Sequence, residues 1–296
     1  MITRRRTLGE LEETRTELTA ETDQESGLRR WISSSSTQIG SVVAGVIAWH
    51  LLSLFYPPYL FPGPLDLTGY FAQIFYSGEL LASVQMTLYH LGVTTLVVIP
   101  TAIFAGFLMG RRPVFEALGR PWVPFWQTIP DLIVIAFALI VFGLGSKGVV
   151  FVGFMISTPF MVVNVWKGVK NVDQELLQMA RAFHATDWEM LREIVIPDVL
   201  PYFLSGSRVA VGIAWHVIVF AEYLMTNAGV GARIKGAVNS YDNVGVFAWG
   251  IVVVMMMLLI EYGIFKPVER SILRRLGRPE GRMGLVSQKT LRQGVS

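Results

Sequence analysis

The chain has 296 residues, of which 52% are hydrophobic and 16% are charged, and its mean hydropathy is +0.50. Because soluble domains average roughly 25% charged residues, this balance indicates an integral membrane protein. The absence of cysteine excludes disulfides, thiolate catalysis and cysteine-ligated metals. The four histidines are scattered without metal-binding spacing, so no metal site is expected. The net charge of +3 does not indicate nucleic acid, because the basic residues cluster beside apolar segments.

Four regions are predicted in chain order. Residues 1–38 are polar and form a cytoplasmic N-terminal extension. A cleaved signal peptide is not expected, because acidic residues follow the arginine-rich start where an apolar stretch would have to stand. Residues 39–82 hold a first transmembrane helix and an external loop, residues 83–275 form the core membrane domain, and residues 276–296 form a basic cytoplasmic tail.

Apolar segments near the roughly 20 residues that cross a bilayer predict an all-α fold with about six transmembrane helices. The segments are 39–56, 87–109, 123–142, 149–166, 209–224 and 246–265. Pro124, Gln127, Pro130 and Asp131 interrupt the first half of the third segment. We therefore expect a broken or kinked helix there, with its polar groups facing protein or water.

The distribution of basic residues predicts the orientation in the membrane. If the N-terminus is cytoplasmic, the inner segments carry 22 of the 25 lysines and arginines, and only Lys147, Arg233 and Lys235 lie outside. The positive-inside rule then places both termini, and the loop between the fourth and fifth segments, in the cytoplasm.

That loop, residues 171–206, has the pattern of two short amphipathic helices that meet at a corner. Asn171 is a plausible N-cap of the first helix. Thr186 and Glu189 form a T-x-x-E capping box at the start of the second, and Pro197 is expected to end it. We call this region the elbow.

The elbow resembles the cytoplasmic loop of inner-membrane permeases of binding-protein-dependent ABC importers. The family pattern is E-A-A, three residues, Gly, nine residues, I-x-L-P, and its positions are occupied here by Gln178, Met179, Ala180, His184, Ile194, Ile196 and Pro197. The spacing is intact, but Gln178 lacks the charge of the family's glutamate. His184 replaces a glycine, and histidine adopts the left-handed conformation only at some cost.

The resemblance extends from about residue 83 to residue 275 and is greatest to the nitrate/sulfonate/taurine branch. It includes the passages SVQMTLYHLGVTTLVVIPTAIFAGFLMG, PFWQTIPDLIVIAFALIVFG and RVAVGIAWHVIVFAEYLMTNAGVGARI. Asp131 departs from the branch, which often has a second proline at this position. The resemblance implies a type I ABC importer permease fold.

By the same resemblance, the protein is a homodimeric permease in the cell inner membrane, with two ABC ATPase subunits and an extracytoplasmic substrate-binding protein. The chain lacks the P-loop pattern G-x-x-x-x-G-K-[ST], so we expect no enzyme activity or cofactor in this subunit, and ATP and magnesium in the partner ATPase. The solute implied is a small anion such as a sulfonate, taurine or nitrate. The residues implied in coupling to the ATPase are Gln178, Met179, Ala180, Phe183, His184, Ala185, Thr186, Trp188, Leu191, Ile194 and Pro197.

Some assignments leave alternatives open. Phe183, Trp188 and Leu191 are apolar anchors either for a docked partner or for this chain's own helices. Ionisable residues inside apolar spans are costly, which makes Asp131, His216 and Glu222 candidates for the solute pathway. Glu222 could instead be a carboxylate that is hydrogen-bonded to a neighbouring helix. A proton-coupled secondary transporter or channel that uses these three residues is the alternative function, although the inverted repeat that it predicts is not evident.

Overall fold

The computed structural model describes residues 40–275, which form helices and no strand. This part of the chain divides into two compact units, which are residues 40–68 and residues 69–275. The first contains α1 (Gly40–Ser53) and the turns that follow it, and the second begins within α2 (Pro64–Tyr76). The predicted extension 1–38 and the predicted tail 276–296 lie outside the described residues.

The second unit is built almost entirely of helices that follow one another through short connections. They are α3 (Glu79–Arg111), α4 (Pro113–Gly119), α5 (Trp122–Thr128), α6 (Asp131–Phe142), α7 (Ser146–Lys170), α8 (Gln174–Ala182), α9 (Asp187–Met190), α10 (Ile196–Met225), α11 (Val230–Asn239), α12 (Asn243–Ile260) and α13 (Lys266–Arg275). Two π-helical turns, Leu191–Val195 and Glu261–Phe265, join α9 to α10 and α12 to α13 without a break.

All six predicted apolar segments fall on helices. Four helical stretches are long and apolar enough to cross a bilayer: Glu79–Arg111, Ser146–Lys170, Asp187–Met225 and Asn243–Ile272. The third predicted segment is the bent pair formed by Pro113–Thr128 and Asp131–Phe142, whose two parts meet at 93°. The first is α1, which is apolar but shorter than about 20 residues.

The predicted interruption of the third segment is confirmed at Pro130. Helix α5 ends at Thr128, and both Ile129 and Pro130 have extended backbone, with ψ of 125° and 134°. A proline ring disfavours the helical conformation of the residue before it, so the chain leaves the helix at Ile129 and re-enters it at Asp131.

Helix α7 lies at the centre of the bundle, between α3 and α10. The α3 and α7 backbones approach closely, since a Cβ added to Gly106 of α3 would lie 2.9 Å from the carbonyl oxygen of Val162 in α7. Trp215 and Trp249 are the largest fully buried side chains of the described core. Small residues at helix crossings and large ones in the gaps are typical of bundles in lipid.

Ion pairs tie the helices at both ends of the bundle. At the end that carries α8 and α9, called the elbow end, Arg208 of α10 contacts Glu261 and, at 3.5 Å, Glu269 of α13. At the opposite end, called the α11 end, Arg233 of α11 lies 2.7 Å from Glu79 of α3. These contacts fix α13 and α11 against the long helices.

A short turn connects α11 to α12. Tyr241 has φ of 58° and a side chain that is 91% exposed, and Asp242 caps α12 by accepting the Gly245 N–H at 2.9 Å. Burial raises the pKa of the nearby Tyr70 phenol above its ordinary value, and the Asp242 carboxylate raises it further. The phenol is therefore held in its neutral form beside the cap.

Candidate functional site

The first helix of the elbow, α8, begins two residues later than its sequence suggested. Asp173 is the N-cap, and its carboxylate accepts the N–H groups of Glu175 at 2.8 Å and Leu176 at 3.4 Å. The prediction of Asn171 as the N-cap is wrong. Asn171 instead ends α7, and its side-chain amide donates to the Tyr202 hydroxyl at 3.0 Å. A carboxylate also complements the helix N-terminus better than an amide does.

The corner of the elbow is closed by a Schellman motif with His184 in the left-handed position. His184 has φ of 60°, its N–H donates to the Arg181 carbonyl at 3.0 Å, and the Ala185 N–H donates to the Ala180 carbonyl at 3.0 Å. This pair of bonds is the usual end of a helix at a glycine. The histidine thus adopts the conformation that the family's glycine would allow without strain.

The second helix, α9, begins with the predicted capping box. Thr186 Oγ1 accepts the Glu189 N–H at 3.3 Å, and the Glu189 carboxylate accepts the Thr186 N–H at 2.8 Å. Both contacts are local in sequence, so the start of α9 needs no support from the bundle.

Pro197 does not end this second helix, contrary to the sequence prediction. Helix α9 continues through the π turn into α10, and Pro197 lies in the first turn of α10. The Ile196 N–H donates to the carbonyl of Leu191, five residues earlier, which widens the helix just before the proline. A wider turn accommodates the proline ring and its missing N–H, so the helix runs without a break from Asp187 to Met225.

The elbow presents apolar side chains to its surroundings as well as to the bundle. Met179, Phe183 and Trp188 are 54%, 80% and 65% exposed, whereas Val172 and Met190 are buried against the bundle. Of the eleven predicted coupling residues, the exposed ones are Gln178, Met179, Phe183, His184, Thr186 and Trp188, and the half-buried ones are Ala180, Ala185, Leu191, Ile194 and Pro197. Leu191 lines a cavity of about 310 Å³ between the elbow and the ends of α3 and α7.

The three predicted pathway residues are not brought together within the chain. Asp131 is exposed at the start of α6, and His216 is exposed on α10. Glu222 is fully buried near the end of α10, with neither of the other two among its hydrogen-bond partners. A proton relay through these three residues has no support from this geometry.

Glu222 instead joins three helices at the α11 end. Its carboxylate accepts the Thr87 hydroxyl at 2.9 Å and the Gly231 N–H at 3.0 Å, and it lies 2.7 Å from Nδ1 of His90. Thr87 Oγ1 also accepts the Val230 N–H at 2.9 Å. The acid therefore links α3 and α10 to the first turn of α11, where the helix dipole favours negative charge.

The histidine in this cluster is also fully buried. We assign a proton to Nδ1 of His90, which then donates to Glu222 Oε1 at 2.7 Å, while Nε2 has no hydrogen-bond partner among the described residues. The sequence analysis did not identify Thr87 and His90 as site residues. The available signal was that they lie three residues apart, on one face of a helix.

Two glycines make room for the Glu222 carboxylate and for the α10 backbone. Gly229 has φ of 99°, and a Cβ on it would lie 2.3 Å from Cδ of Glu222. A Cβ on Gly231 would lie 2.1 Å from the carbonyl oxygen of Val219. The Gly229-Val230-Gly231 sequence therefore allows the start of α11 to lie directly on α10.

Residues 40–275 contain no cluster of three His, Asp or Glu side chains that could hold a metal ion. A bundle of long apolar helices with capped helical elements at one end defines a multi-pass membrane protein.

The sequence profile of the family described as "binding-protein-dependent transport system inner membrane component" matches residues 98–273. The chain belongs to this family, and the resemblance to ABC importer permeases is confirmed.

Curated relatives place the chain close to the nitrate, sulfonate and taurine branch. A protein of Brucella melitensis biotype 1 named "probable ABC transporter permease protein" is 30% identical over 221 residues, which cover 75% of this chain and 89% of the relative. A Bacillus subtilis (strain 168) permease protein named for aliphatic sulfonates transport is 26% identical over 74% of this chain and 79% of its own. A nitrate import permease protein of Synechococcus elongatus is 25% identical over 65% of this chain and 72% of its own.

Solved structures agree on the fold. The structure of an amino acid ABC transporter with histidines superposes with a TM-score of 0.53 and 15% identity, and covers 69% of this chain and 97% of the solved chain. A bacterial alginate ABC transporter gives a TM-score of 0.51 at 16% identity, over 77% and 95% of the two chains.

Proposed function

We propose that this chain forms the solute pathway of an ATP-driven importer and that its elbow transmits the movement of separate ATPase subunits to the membrane helices. The ATPase would dock on the exposed side chains of Met179, Phe183 and Trp188. Exposed aromatic residues on a rigid element are typical anchors of protein interfaces.

The observation that carries the proposal is the continuous helix from Asp187 to Met225. Its 39 residues extend about 58 Å from the elbow to the α11 end. Glu222 lies one turn from its far end and holds α11. A displacement of the elbow is therefore carried along one element to the opposite end of the bundle.

The elbow and both termini lie in the cytoplasm under this proposal, and the α11 end lies outside. The complex contains a second copy of the permease, two ABC ATPase subunits that bind ATP and magnesium, and an extracytoplasmic substrate-binding protein. ATP binding closes the ATPases and turns the pathway outward to accept solute, and hydrolysis resets it.

The solute we propose is a small anion such as a sulfonate, taurine or nitrate. The names of the relatives from Bacillus subtilis and Synechococcus elongatus support this class. None of the six apolar segments has a lysine or arginine deep inside it, so selectivity would come from the binding protein. Titration of that isolated protein with taurine, an alkanesulfonate and nitrate tests the assignment, and binding of none of them would refute it.

Replacing Trp188 tests the docking surface. We expect Trp188→Asp to reduce ATP-driven uptake by reconstituted transporter at least about tenfold, because a charge would have to be buried in an apolar contact. The ATPase subunits would continue to hydrolyse ATP. Trp188→Phe, which keeps an aromatic ring, is the matched control and should retain most of the uptake. Uptake by the aspartate variant at the rate of the unmodified protein would refute the coupling role.

A further inference from the structure

A threonine in the middle of the bundle carries a hydroxyl that the described protein atoms leave unpaired. Thr94 of α3 is fully buried, and its Oγ1 has no hydrogen-bond partner among the described residues. A Cβ added to Gly153 of α7 would lie 3.1 Å from this oxygen, so the hydroxyl lies where α3 and α7 approach closely. A buried hydroxyl without a partner costs free energy, and such groups in native proteins commonly bond to ordered water.

Thr94 lines a small cavity between the helices together with two serines. The cavity has a volume of about 10 Å³, and Ser157 of α7 and Ser207 of α10 also contribute to its wall. Both serines are buried. The remaining lining is mostly apolar: Thr95, Val98, Ile99, Met161, Ala210, Val211 and Ala214. This volume is about that of one water-sized probe, which is the room that a single water molecule needs.

The hydrogen-bonding capacity of the three hydroxyls is complementary to that of water. Ser157 donates its proton to the Gly153 carbonyl at 2.7 Å, and Ser207 donates to the Leu204 carbonyl at 2.9 Å. Each serine oxygen therefore retains lone pairs, whereas Thr94 retains a proton to donate. A water that accepts from Thr94 and donates to both serines would make three hydrogen bonds, the usual number for a buried water.

We propose that Thr94, Ser157 and Ser207 form a binding site for one ordered water molecule, which joins α3, α7 and α10 in the interior of the bundle. Three neutral oxygens supply no charge to offset the desolvation of an ion, which favours water over a cation. In lipid the contacts between helices depend on close packing and on polar bridges of this kind. The site is independent of the proposed transport function.

A second, larger cavity lies next to the small one. It has a volume of about 460 Å³ and shares Thr95, Ile99, Ser207 and Val211 with the small cavity. Its other walls include Ile264, Phe265 and Val268, which follow α12 at the elbow end. Ser207 therefore lies at the boundary between the small cavity and a larger one at the elbow end.

The thermal stability of the Thr94→Val variant of the full chain tests the site. Valine keeps the shape of threonine but removes one of the three partners of the water, so we expect Tm to fall by about 2–4 °C. If the hydroxyl had no partner, the same change would remove an unpaired polar group and leave Tm unchanged or raise it. Thr101→Val is the matched control, because the Thr101 hydroxyl donates within its own helix, to the Val97 carbonyl at 2.8 Å. The Tm of this control variant should change little.

A direct measurement distinguishes loss of the water from a packing defect in the valine variant. A cryo-EM map of the unmodified protein that shows ordered water elsewhere should contain a peak within hydrogen-bond distance of all three hydroxyl oxygens. Absence of that peak, or a Tm of Thr94→Val equal to or above that of the unmodified protein, would overturn the proposal.

Discussion

At the scale of single residues, the feature with the largest energetic consequence is the buried carboxylate of Glu222. It is surrounded by donors from Thr87, His90 and the backbone of Gly231, all of them buried. Such a cluster is stable only when every partner is present, because each one left alone would be an unpaired polar group in an apolar bundle.

The sequence identifies Glu222 as unusual because an ionisable residue inside an apolar segment is costly. It does not identify the partners, since His90 lies 132 positions away and belongs to a different helix. Which helix faces pack together is decided by the packing of the whole bundle. The residue was thus predictable as a site, but its contacts were not.

Removal of the Glu222 carboxylate should be strongly destabilising. We expect Glu222→Ala to lower the free energy of unfolding by about 3–5 kcal/mol, because the donors around it remain buried and unpaired. Thermal or denaturant unfolding in detergent measures the change. The control is Glu116→Ala, which breaks the more exposed contact with Lys170 and should cost about 1 kcal/mol or less. Equal losses in the two variants would contradict the account of the cluster.

At the scale of elements, the elbow shows which local rules suffice and which do not. The capping box of Thr186 and Glu189 follows from four consecutive residues, and the structure contains it. The two errors, at Asn171 and Pro197, have one origin: each residue is compatible with more than one place in a helix. Asparagine fits either end of a helix, and proline is tolerated in a first turn, so the neighbouring helices decided both cases.

The corner residue offers a test of the elbow as an element. We expect His184→Val to weaken the Schellman motif, because a β-branched side chain tolerates positive φ poorly, and His184→Gly to preserve or strengthen it. If the valine variant loses about 1.4 kcal/mol of local stability at the corner, hydrogen exchange at its Ala185 amide should be roughly tenfold faster than in the glycine variant. Equal exchange rates in the valine and glycine variants would show that the positive φ of His184 does not limit the corner.

At the scale of the whole molecule, the all-helical membrane fold followed from composition and apolar segments alone. The bent third segment was also predictable, because a proline restricts its preceding residue wherever it occurs. The long continuous helix from Asp187 to Met225 was not predicted. Its first turns are charged and contain a proline, and this pattern was interpreted as a separate short helix that ends at the proline. The long helix nevertheless carries the proposed mechanism, because it joins the elbow to the cluster around Glu222.

Cross-linking from the elbow tests the central proposal most directly. The chain has no cysteine, so Phe183→Cys and Tyr241→Cys each place one thiol on an exposed position, at the elbow end and the α11 end respectively. After reaction with a thiol-specific photo-crosslinker in native membranes, we predict that Phe183→Cys forms an adduct with a P-loop ATPase and that Tyr241→Cys does not. An ATPase adduct from Tyr241→Cys alone, or from neither variant, would contradict the assignment of the elbow as the ATPase contact.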